Sequence, residues 1–244
     1  MMRSFSNLYI FVFSSVMVII VAALLSFVAE ELRPLQERNV ELEKKTDILN
    51  SVHMTKGMDE ADDKALFVEK TFESYIQESY VVNFDGEIIE GMDAFEVTKN
   101  IKEQTDKPGN ERALPVFVFK SDEGTKKYIL PVRGKGLWGP IWGYIALNDD
   151  FKTIAGTVFD HSKETPGLGA EINTDWFEGD FVGKAIFDES GKFTSIEVVK
   201  GGADSSDTHS VDAISGGTIT SKGLEHMLQD CLSPYVNFFK KQMN

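Results

Sequence analysis

The sequence contains very little cysteine and little histidine. One cysteine, Cys231, and four histidines stand among its 244 residues. A single thiol excludes an intramolecular disulfide, and alone it holds neither an iron–sulfur cluster nor a structural zinc ion. The histidines show no ligand spacing, even if His161 is paired with Glu164, so no metal site is predicted. With a single cysteine, the sequence does not indicate whether the protein lies in a reducing or an oxidising compartment.

Basic residues are scarce as well. Lys and Arg number 25 against 39 Asp and Glu, which gives a formal net charge of −14. We interpret this as a solvated acidic surface that repels nucleic acid and anionic head groups, so no nucleic-acid partner is predicted. A P-loop, a G-x-S-x-G nucleophile elbow and a dinucleotide-binding glycine fingerprint are also missing. No catalytic residue is predicted.

One long apolar run stands near the start of the chain. Residues 8–28 contain no charged side chain and are long enough to cross a bilayer as a helix. The alternative is a cleaved signal peptide, but the run is longer than a usual signal core and only Arg3 precedes it as a basic residue. We predict a retained anchor surrounded by membrane lipid. Basic residues flank the run on both sides, so charge does not settle its orientation.

The pattern changes after the anchor. Residues 29–78 are charged, with unevenly spaced Leu and Ile, and are predicted to form a helical stalk or connector that has Pro34 in its first turns. A further helix is expected within residues 59–77. Strand patterns separated by turn signals then predict hairpins at residues 80–89, 115–132, 144–159 and 185–199. This mixture indicates an α+β body with a largely antiparallel sheet.

The C-terminal segment has apolar residues at helical spacing. A helix is predicted after Ser221, with one apolar face on the body. Pro234 is expected to kink this helix or to start a second short one. Cys231 falls on the apolar face, which predicts a buried, inert thiol.

The stretch Val-Asp-Ala-Ile-Ser-Gly-Gly-Thr-Ile-Thr-Ser at residues 211–221 is the most informative local pattern. Gly216 and Gly217 lack Cβ, so the backbone there can come close to a phosphate. The helix that follows offers unpaired N–H groups and a positive dipole end to an anion. From these residues alone, an ordinary glycine turn before a helix is an equal alternative.

Two other glycine-rich segments are unusual. Gly134-Lys-Gly-Leu-Trp-Gly-Pro-Ile-Trp-Gly143 predicts a tight loop that presents flat aromatic surfaces, although Trp138 and Trp142 would serve equally as core residues. In His161-Ser-Lys-Glu-Thr-Pro-Gly-Leu-Gly169 the Pro-Gly pair predicts a turn, and its Glu and Thr offer hydrogen-bonding groups to a ligand.

These segments carry a family resemblance. Asp212-Ala-Ile-Ser-Gly-Gly-Thr218 resembles the flavinylation motif Asp-x-x-Ser/Thr-Gly-Ala-Thr of the C subunit of the sodium-translocating NADH:quinone reductases, with Gly217 where the family usually has Ala. The Gly-Lys-Gly-Leu-Trp-Gly loop is similar to one that lies beside the flavin in that family. The Glu-Thr-Pro-Gly-Leu-Gly segment is similar to the signature of the wider FMN-binding domain family. The segments occur in family order, and the anchor and stalk agree.

The resemblance implies a flavoprotein subunit of a membrane sodium pump that oxidises NADH and reduces quinone. It implies FMN attached to Thr218 by a phosphoester, installed by a flavin transferase from FAD, and electron relay without turnover by this chain alone. The implied partners are the transferase and the other subunits of the reductase complex. The implied location is a bacterial inner membrane, with a single span and the body on the periplasmic side.

The predicted flavin site follows from the same comparison. Besides the attachment residue Thr218 it contains the residues Asp212, Ser215, Gly216, Gly217, Thr220, Trp138, Glu164, Thr165, Gly167, Leu168, Gly169 and Lys200. Trp138 is preferred to Trp142. Asp212 and Ser215 are assigned to transferase recognition or to turn geometry. Lys200 is placed near the phosphate or the flavin N1 edge, with an ordinary surface lysine as the alternative.

The sequence predicts four segments along the chain. Residues 1–7 are a short cytoplasmic N-terminus, 8–28 the anchor, 29–78 the stalk or connector, and 79–244 the extracytoplasmic FMN-binding domain. The nearest alternative is the G subunit of the related ferredoxin:NAD electron-transport complex, which shares the anchor and the flavinylated Thr. The Gly-Leu-Trp-Gly loop and the stalk-side length favour the C subunit of the reductase. A non-redox anchored sensor or scaffold is the other alternative.

Overall fold

The computed structural model describes residues 6–204 and 206–243, so Arg3 and most of the predicted N-terminal segment lie outside the described residues. Helix α1 (Asn7–Asn50) contains the whole apolar run and is long and apolar enough to cross a membrane. The predicted stalk is helical up to Asn50 and continues the anchor, so Pro34 lies inside one long helix. The Glu and Leu residues before Pro34 are strong helix formers, which explains why the anchor helix continues into the stalk.

The chain divides into two compact units, Met1–Glu43 and Lys44–Asn244. The second unit, called the body here, includes the last turns of α1. It also includes α2 (Lys64–Tyr75), the helix expected within residues 59–77. The four segment boundaries drawn from the sequence stay a prediction.

The body is built on a five-stranded antiparallel sheet whose strands neighbour one another in chain order. The strands are β1 (Ile76–Val82), β2 (Leu114–Lys120), β3 (Lys126–Lys135), β4 (Pro140–Asn148) and β5 (Ile154–His161). The hairpins predicted at residues 115–132 and 144–159 are confirmed. The α+β class with a largely antiparallel sheet is therefore confirmed as well.

Helices cover both faces of this sheet. Alternate residues of a strand point to opposite faces, so Val116 and Val118 join one core cluster while Phe117 and Phe119 join the other. The second cluster includes Ile48 of α1 and packs with residues of α2 and of α3 (Ala94–Lys99). A short helix α4 (Ile101–Thr105) follows α3.

The first core cluster is closed by the C-terminal helices. These are α5 (Asp175–Gly179), α6 (Thr218–Leu232) and α7 (Val236–Met243). Pro234 lies in a 3₁₀ turn, Ser233–Tyr235, between α6 and α7, so the predicted second short helix is confirmed. Two further 3₁₀ turns are Gly109–Glu111 and Gly169–Asn173.

Two predicted hairpins differ from the structure. At residues 80–89 the turn forms, but pairing is limited to the single bridge Val82↔Ile88. At residues 185–199 one antiparallel bridge, Phe187↔Phe193, remains, and Thr194 and Ser195 both donate backbone N–H bonds to the carbonyl of Ile186. This irregularity ends the antiparallel ladder. The strand β6 (Glu197–Val199) pairs instead in parallel with β7 (Ser210–Asp212).

Candidate functional site

Three glycine-rich loops meet at one place in the body. They are the β3–β4 loop (residues 136–139), the β5 loop (residues 162–169) and the α6 loop (residues 213–217). A Cβ on Gly169 would clash with Thr220 Oγ1 of α6, and a Cβ on Gly217 would lie 3.3 Å from the Cα of Gly169. The loops approach this closely because glycine stands at these contacts. We call the meeting point the three-loop junction.

Glu164 lies at the centre of the three-loop junction and is only 5% exposed. Its Oε1 accepts the backbone N–H of Trp138 at 2.8 Å and of Gly139 at 3.3 Å. Its Oε2 accepts the hydroxyl of Thr220 at 2.6 Å. The carboxylate therefore joins the β5 loop, the β3–β4 loop and α6 in one network.

The acidity of Glu164 reflects these bonds. Burial raises its pKa, since it disfavours the charged form. Hydrogen bonds from the Thr220 hydroxyl and from the backbone N–H groups of Trp138, Gly139 and Leu137 outweigh burial and leave the pKa below its usual value. Glu164 is thus an ionised carboxylate at neutral pH.

Thr218 is the first residue of α6 and is half-buried. The preceding residue, Gly217, has no side chain to cap the helix, so the first N–H groups of α6 keep their partial positive charge. The α6 loop folds onto the helix, because Ile214 donates its N–H to Ser221 Oγ at 3.1 Å and Gly217 donates to the Ile214 carbonyl at 3.0 Å. Gly216 adopts a φ of 74°, which favours glycine.

Each of the three loops presents an exposed apolar side chain, or adjoins one. Trp138 is 63% and Ile219 60% exposed, and Leu137 and Leu168 are each more than two-fifths exposed. Leu168 also reaches the α6 loop, since a Cβ on Gly216 would lie 2.6 Å from its Cδ2. Trp142 is half-buried within β4, opposite Arg133 and Asp160. Of the two tryptophans, Trp138 is the more accessible one.

The other predicted residues of the β5 and α6 loops lie on the surface. Thr165 is exposed, and its carbonyl accepts the N–H groups of Leu168 and Ala170, each at 3.1 Å. Gly167 is exposed with a φ of 75°. Ser215 is exposed in the α6 loop.

Asp212 and Lys200 lie at the same end of the parallel strand pair. Val199 is opposite Asp212, and Lys200 follows directly as an exposed residue. Asp212 Oδ1 accepts the backbone N–H of Ala203 at 2.6 Å, so this carboxylate fixes the loop after β6. The assignment of Asp212 to turn geometry or to transferase recognition stays a prediction.

Sequence reasoning missed two contacts of the site. The Ser221 hydroxyl closes the α6 loop, and Gly223 lies so close to the carbonyl of Lys135 that a Cβ would clash with it. The unusual density of glycine in the segments 134–143 and 216–223 was the available signal for such close contact.

Cys231 is buried, as predicted. Burial raises the pKa of its thiol to about 11, and the thiol donates to the Arg133 carbonyl at 3.3 Å. Across residues 6–204 and 206–243, no group of three or more His, Cys, Asp or Glu side chains is arranged to hold a metal ion.

Known proteins similar to this chain are found both by sequence and by structure. The FMN-binding domain family matches residues 136–233, a range that contains all three loops. The C subunit of the Na(+)-translocating NADH-quinone reductase of Vibrio vulnificus is 33% identical over 221 residues, which are 85% of this chain and 84% of that protein. The corresponding C subunit of Pseudomonas aeruginosa is 32% identical, over 82% of this chain and 81% of that protein.

Two solved structures are similar to the chain. The crystal structure of the reductase's C subunit from Parabacteroides distasonis has a TM-score of 0.72 at 42% identity and covers 85% of this chain and 96% of that chain. The Shewanella oneidensis NqrC structure has a TM-score of 0.67 at 27% identity, with 85% of this chain and 98% of that chain covered.

Proposed function

The chain belongs to the family of C subunits of the Na(+)-translocating NADH-quinone reductases, and from this premise we propose that it carries FMN covalently on Thr218 and relays electrons from NADH towards quinone. Its named relatives are subunits of an oxidoreductase complex, so this chain acts as one flavoprotein subunit and not as an enzyme alone. The observation that carries the proposal is the position of Thr218, at the start of α6 where the three loops meet.

The start of α6 fits a phosphate group. The first N–H groups of a helix and its dipole favour an anion there. Gly217 has no side chain to cap the first N–H groups of α6, which leaves them open to an anion, and Gly216 supplies the left-handed turn that leads into the helix. A phosphoester on the Thr218 hydroxyl would place its charge at this helix end.

FAD is the proposed donor in the reaction that attaches FMN to Thr218. The hydroxyl oxygen of Thr218 forms a bond to the flavin-side phosphorus of FAD, the phosphoanhydride bond breaks, and AMP leaves with the hydroxyl proton passing to AMP or solvent. Within the described part of the chain, no side chain hydrogen-bonds to the Thr218 hydroxyl. We therefore assign activation of this hydroxyl to the flavin transferase.

The exposed apolar side chains of the three-loop junction fit the flavin ring system. Trp138 is 63% exposed and offers a flat ring, and Leu168 of the β5 loop and Ile219 of α6 add exposed apolar surface. Covering such side chains with a flat ring is favourable. When bound, FMN supplies the electron transfer, whereas the chain supplies attachment, orientation and electrostatic surroundings.

We extend the proposal to the membrane. The apolar part of α1 forms a single-pass anchor in a bacterial inner membrane, with residues 1–7 in the cytoplasm, lipid around residues 8–28 and the body on the periplasmic side. A covalent bond retains the cofactor there, where dissociated FMN would be lost. The anchor also holds the flavin beside the other subunits of the complex.

Flavin fluorescence in a denaturing gel tests the attachment. The full chain is co-expressed with a flavin transferase, and only covalent flavin remains with the denatured band. We expect fluorescence from the unmodified sequence and from the control Thr208→Ala. Thr208 is an exposed threonine ten residues before Thr218, and its substitution leaves the proposed attachment residue in place. Thr218→Ala should abolish it. A fluorescent Thr218→Ala band would refute attachment at Thr218.

A further inference from the structure

We propose that Glu164 and Thr220 form a positioning pair, which holds the first turn of α6 in the orientation that lets Thr218 accept the flavin. The inference rests on the proposed attachment at Thr218. The two residues are 56 positions apart in sequence and are joined by a 2.6 Å hydrogen bond from the Thr220 hydroxyl to Glu164 Oε2. In this role neither side chain contacts the flavin.

Burial separates this pair from the surface where a ligand would lie. Glu164 is 5% and Thr220 only 1% exposed. Both carboxylate oxygens of Glu164 already accept hydrogen bonds from the protein, with the Trp138 N–H at 2.8 Å on Oε1. Both side chains are therefore buried within the three-loop junction, and the bonds of Glu164 go to the β3–β4 loop and to α6.

Close packing restricts movement of the Glu164 carboxylate. A Cβ on Gly136 would lie 2.6 Å from Oε1, and a Cβ on Gly169 would lie 2.7 Å from Oε2. The carboxylate thus fits a slot between two glycines that admits no additional atom. Because its position is fixed, its bond fixes Thr220 as well.

The helix transmits this constraint to the attachment residue. Thr220 and Thr218 lie in the same first turn of α6, two residues apart. The backbone bond from Ser221 N–H to the Gly217 carbonyl, at 2.9 Å, closes that turn. A small displacement of a reacting group is enough to slow a transfer reaction by about a hundredfold. Loss of the pair should therefore slow flavin transfer without removing the acceptor hydroxyl.

The chemistry of the pair allows conservative variants. In Glu164→Gln the amide oxygen can accept the N–H groups of Trp138 and Gly139. The amide nitrogen can donate to the Thr220 hydroxyl, which then serves as the acceptor. Thr220→Ser keeps the hydroxyl. Glu164→Ala and Thr220→Val break the bond. A positioning role predicts rescue by the first two variants.

The experiment measures the initial rate at which purified flavin transferase, supplied with FAD, adds mass to the full-length chain. Glu164→Ala and Thr220→Val should be slower by about tenfold or more. Glu164→Gln and Thr220→Ser should stay within about threefold of the unmodified sequence, because they keep the bond. The double variant should be no slower than the slower single variant, since the two residues act through one bond.

Matched controls separate positioning from general loss of stability. Glu178→Ala removes another buried carboxylate that accepts a backbone N–H, that of Phe159 at 2.7 Å. Thr98→Val removes a buried hydroxyl that donates to the Ala94 carbonyl at 2.8 Å. Both controls should keep the unmodified rate. A folded Glu164→Ala chain that reacts at the unmodified rate, or a Glu178→Ala chain that is equally slow, would overturn the inference.

Hydrogen exchange gives a second readout that needs no flavin. In Glu164→Ala, the amides of residues 214–222 should exchange at least about tenfold faster than in Glu178→Ala, because the first turn of α6 opens more often. If the unmodified chain accepts no flavin at all, the proposed attachment fails, and this measurement still decides the positioning role. Equal exchange in the two variants would refute that role.

Discussion

Glu164 in the three-loop junction and Glu178 in α5 carry the same side chain in two regions of the body, and each is at most 9% exposed. Burial raises the pKa of both. At Glu164, hydrogen bonds from Thr220 and three backbone N–H groups outweigh burial and lower the pKa. At Glu178, burial dominates, one bond from the Phe159 N–H opposes it, and Asp175, Asp47 and Asp160 add repulsion, which leaves a pKa of about 7.

Hydrogen-bond donors around a buried carboxylate, and not burial alone, therefore decide whether it is ionised at neutral pH. Glu164 is an anion at neutral pH that joins the β5 loop, the β3–β4 loop and α6. Glu178 is an acid that gains or loses its proton near neutral pH. Comparing the two residues separates the effect of the three-loop junction from the effect of burying a carboxylate anywhere in the body.

The largest expected effect is on global stability. Glu164→Ala leaves the Trp138 and Gly139 N–H groups and the Thr220 hydroxyl without their acceptor, which should lower the free energy of unfolding by about 3 kcal/mol. Glu178→Ala removes fewer bonds and relieves repulsion, so it should cost less. Urea denaturation of the full chain in detergent measures both. A larger loss of stability in Glu178→Ala would show that the bonds of Glu164 contribute less to stability than expected.

The next effect concerns the packing of the three-loop junction. Gly169→Ala inserts a methyl group against Thr220 and Glu164 and should cost about 2 kcal/mol. Gly179→Ala, in the helix that carries Glu178, has no atom within 4 Å of the new methyl group and should be neutral or stabilising. Thermal unfolding of the two variants checks this. Equal melting temperatures would show that the junction is not tightly packed.

A smaller effect is expected in the dependence of stability on pH. The raised pKa of Glu178 means that the folded chain holds a proton that the unfolded chain releases between the usual value of 4.5 and about 7. As pH rises through that range, the unmodified chain should therefore lose stability relative to Glu178→Gln, by an amount on the order of 1 kcal/mol. For Glu164 the sign reverses, because its lowered pKa stabilises the fold above 4.5 and the benefit is lost as pH falls.

Denaturation of the two Gln variants at pH 4, 6 and 8 measures these slopes. As pH rises, the free energy of unfolding of Glu178→Gln should increase relative to that of the unmodified chain. That of Glu164→Gln should decrease relative to the unmodified chain. Parallel slopes for the two variants would contradict the assigned acidities.

The smallest effect is expected at the position where this chain departs from the family motif. A Cβ on Gly217 would lie 3.0 Å from Ile214 Cγ2 and 3.3 Å from the Cα of Gly169, so the neighbours need to move only slightly. Gly217 has a φ of −100°, which alanine adopts freely. Gly217→Ala should change stability by less than about 1 kcal/mol and should keep flavin attachment. Loss of in-gel fluorescence in this variant would show that the α6 loop requires glycine.

Much of the fold was predictable because its signals are local. The apolar run of residues 8–28, the two central hairpins and the break at Pro234 each depend on a few adjacent residues. The parallel pairing of β6 with β7 was not predictable, because strands of three residues are too short to show periodicity.

The candidate site was predictable as a set of segments but not as an arrangement. The density of glycine and the family resemblance indicated the three segments that form the loops. The bond between Glu164 and Thr220 joins residues 56 positions apart, and no pattern within either segment indicates it. Motif residues are usually interpreted as ligand contacts, whereas the structure buries these two within the three-loop junction. The placement of the other predicted residues against the flavin stays a prediction.

The most direct test of the account is to locate the flavin by fragmentation mass spectrometry. The tryptic peptide of residues 201–222, isolated from the native membrane, contains four hydroxyl residues at or near the start of α6: Ser215, Thr218, Thr220 and Ser221. We expect a mass gain of FMN less water, carried by Thr218 alone. The same gain on Ser215 or Thr220, or an unmodified peptide from a membrane with an active transferase, would contradict it.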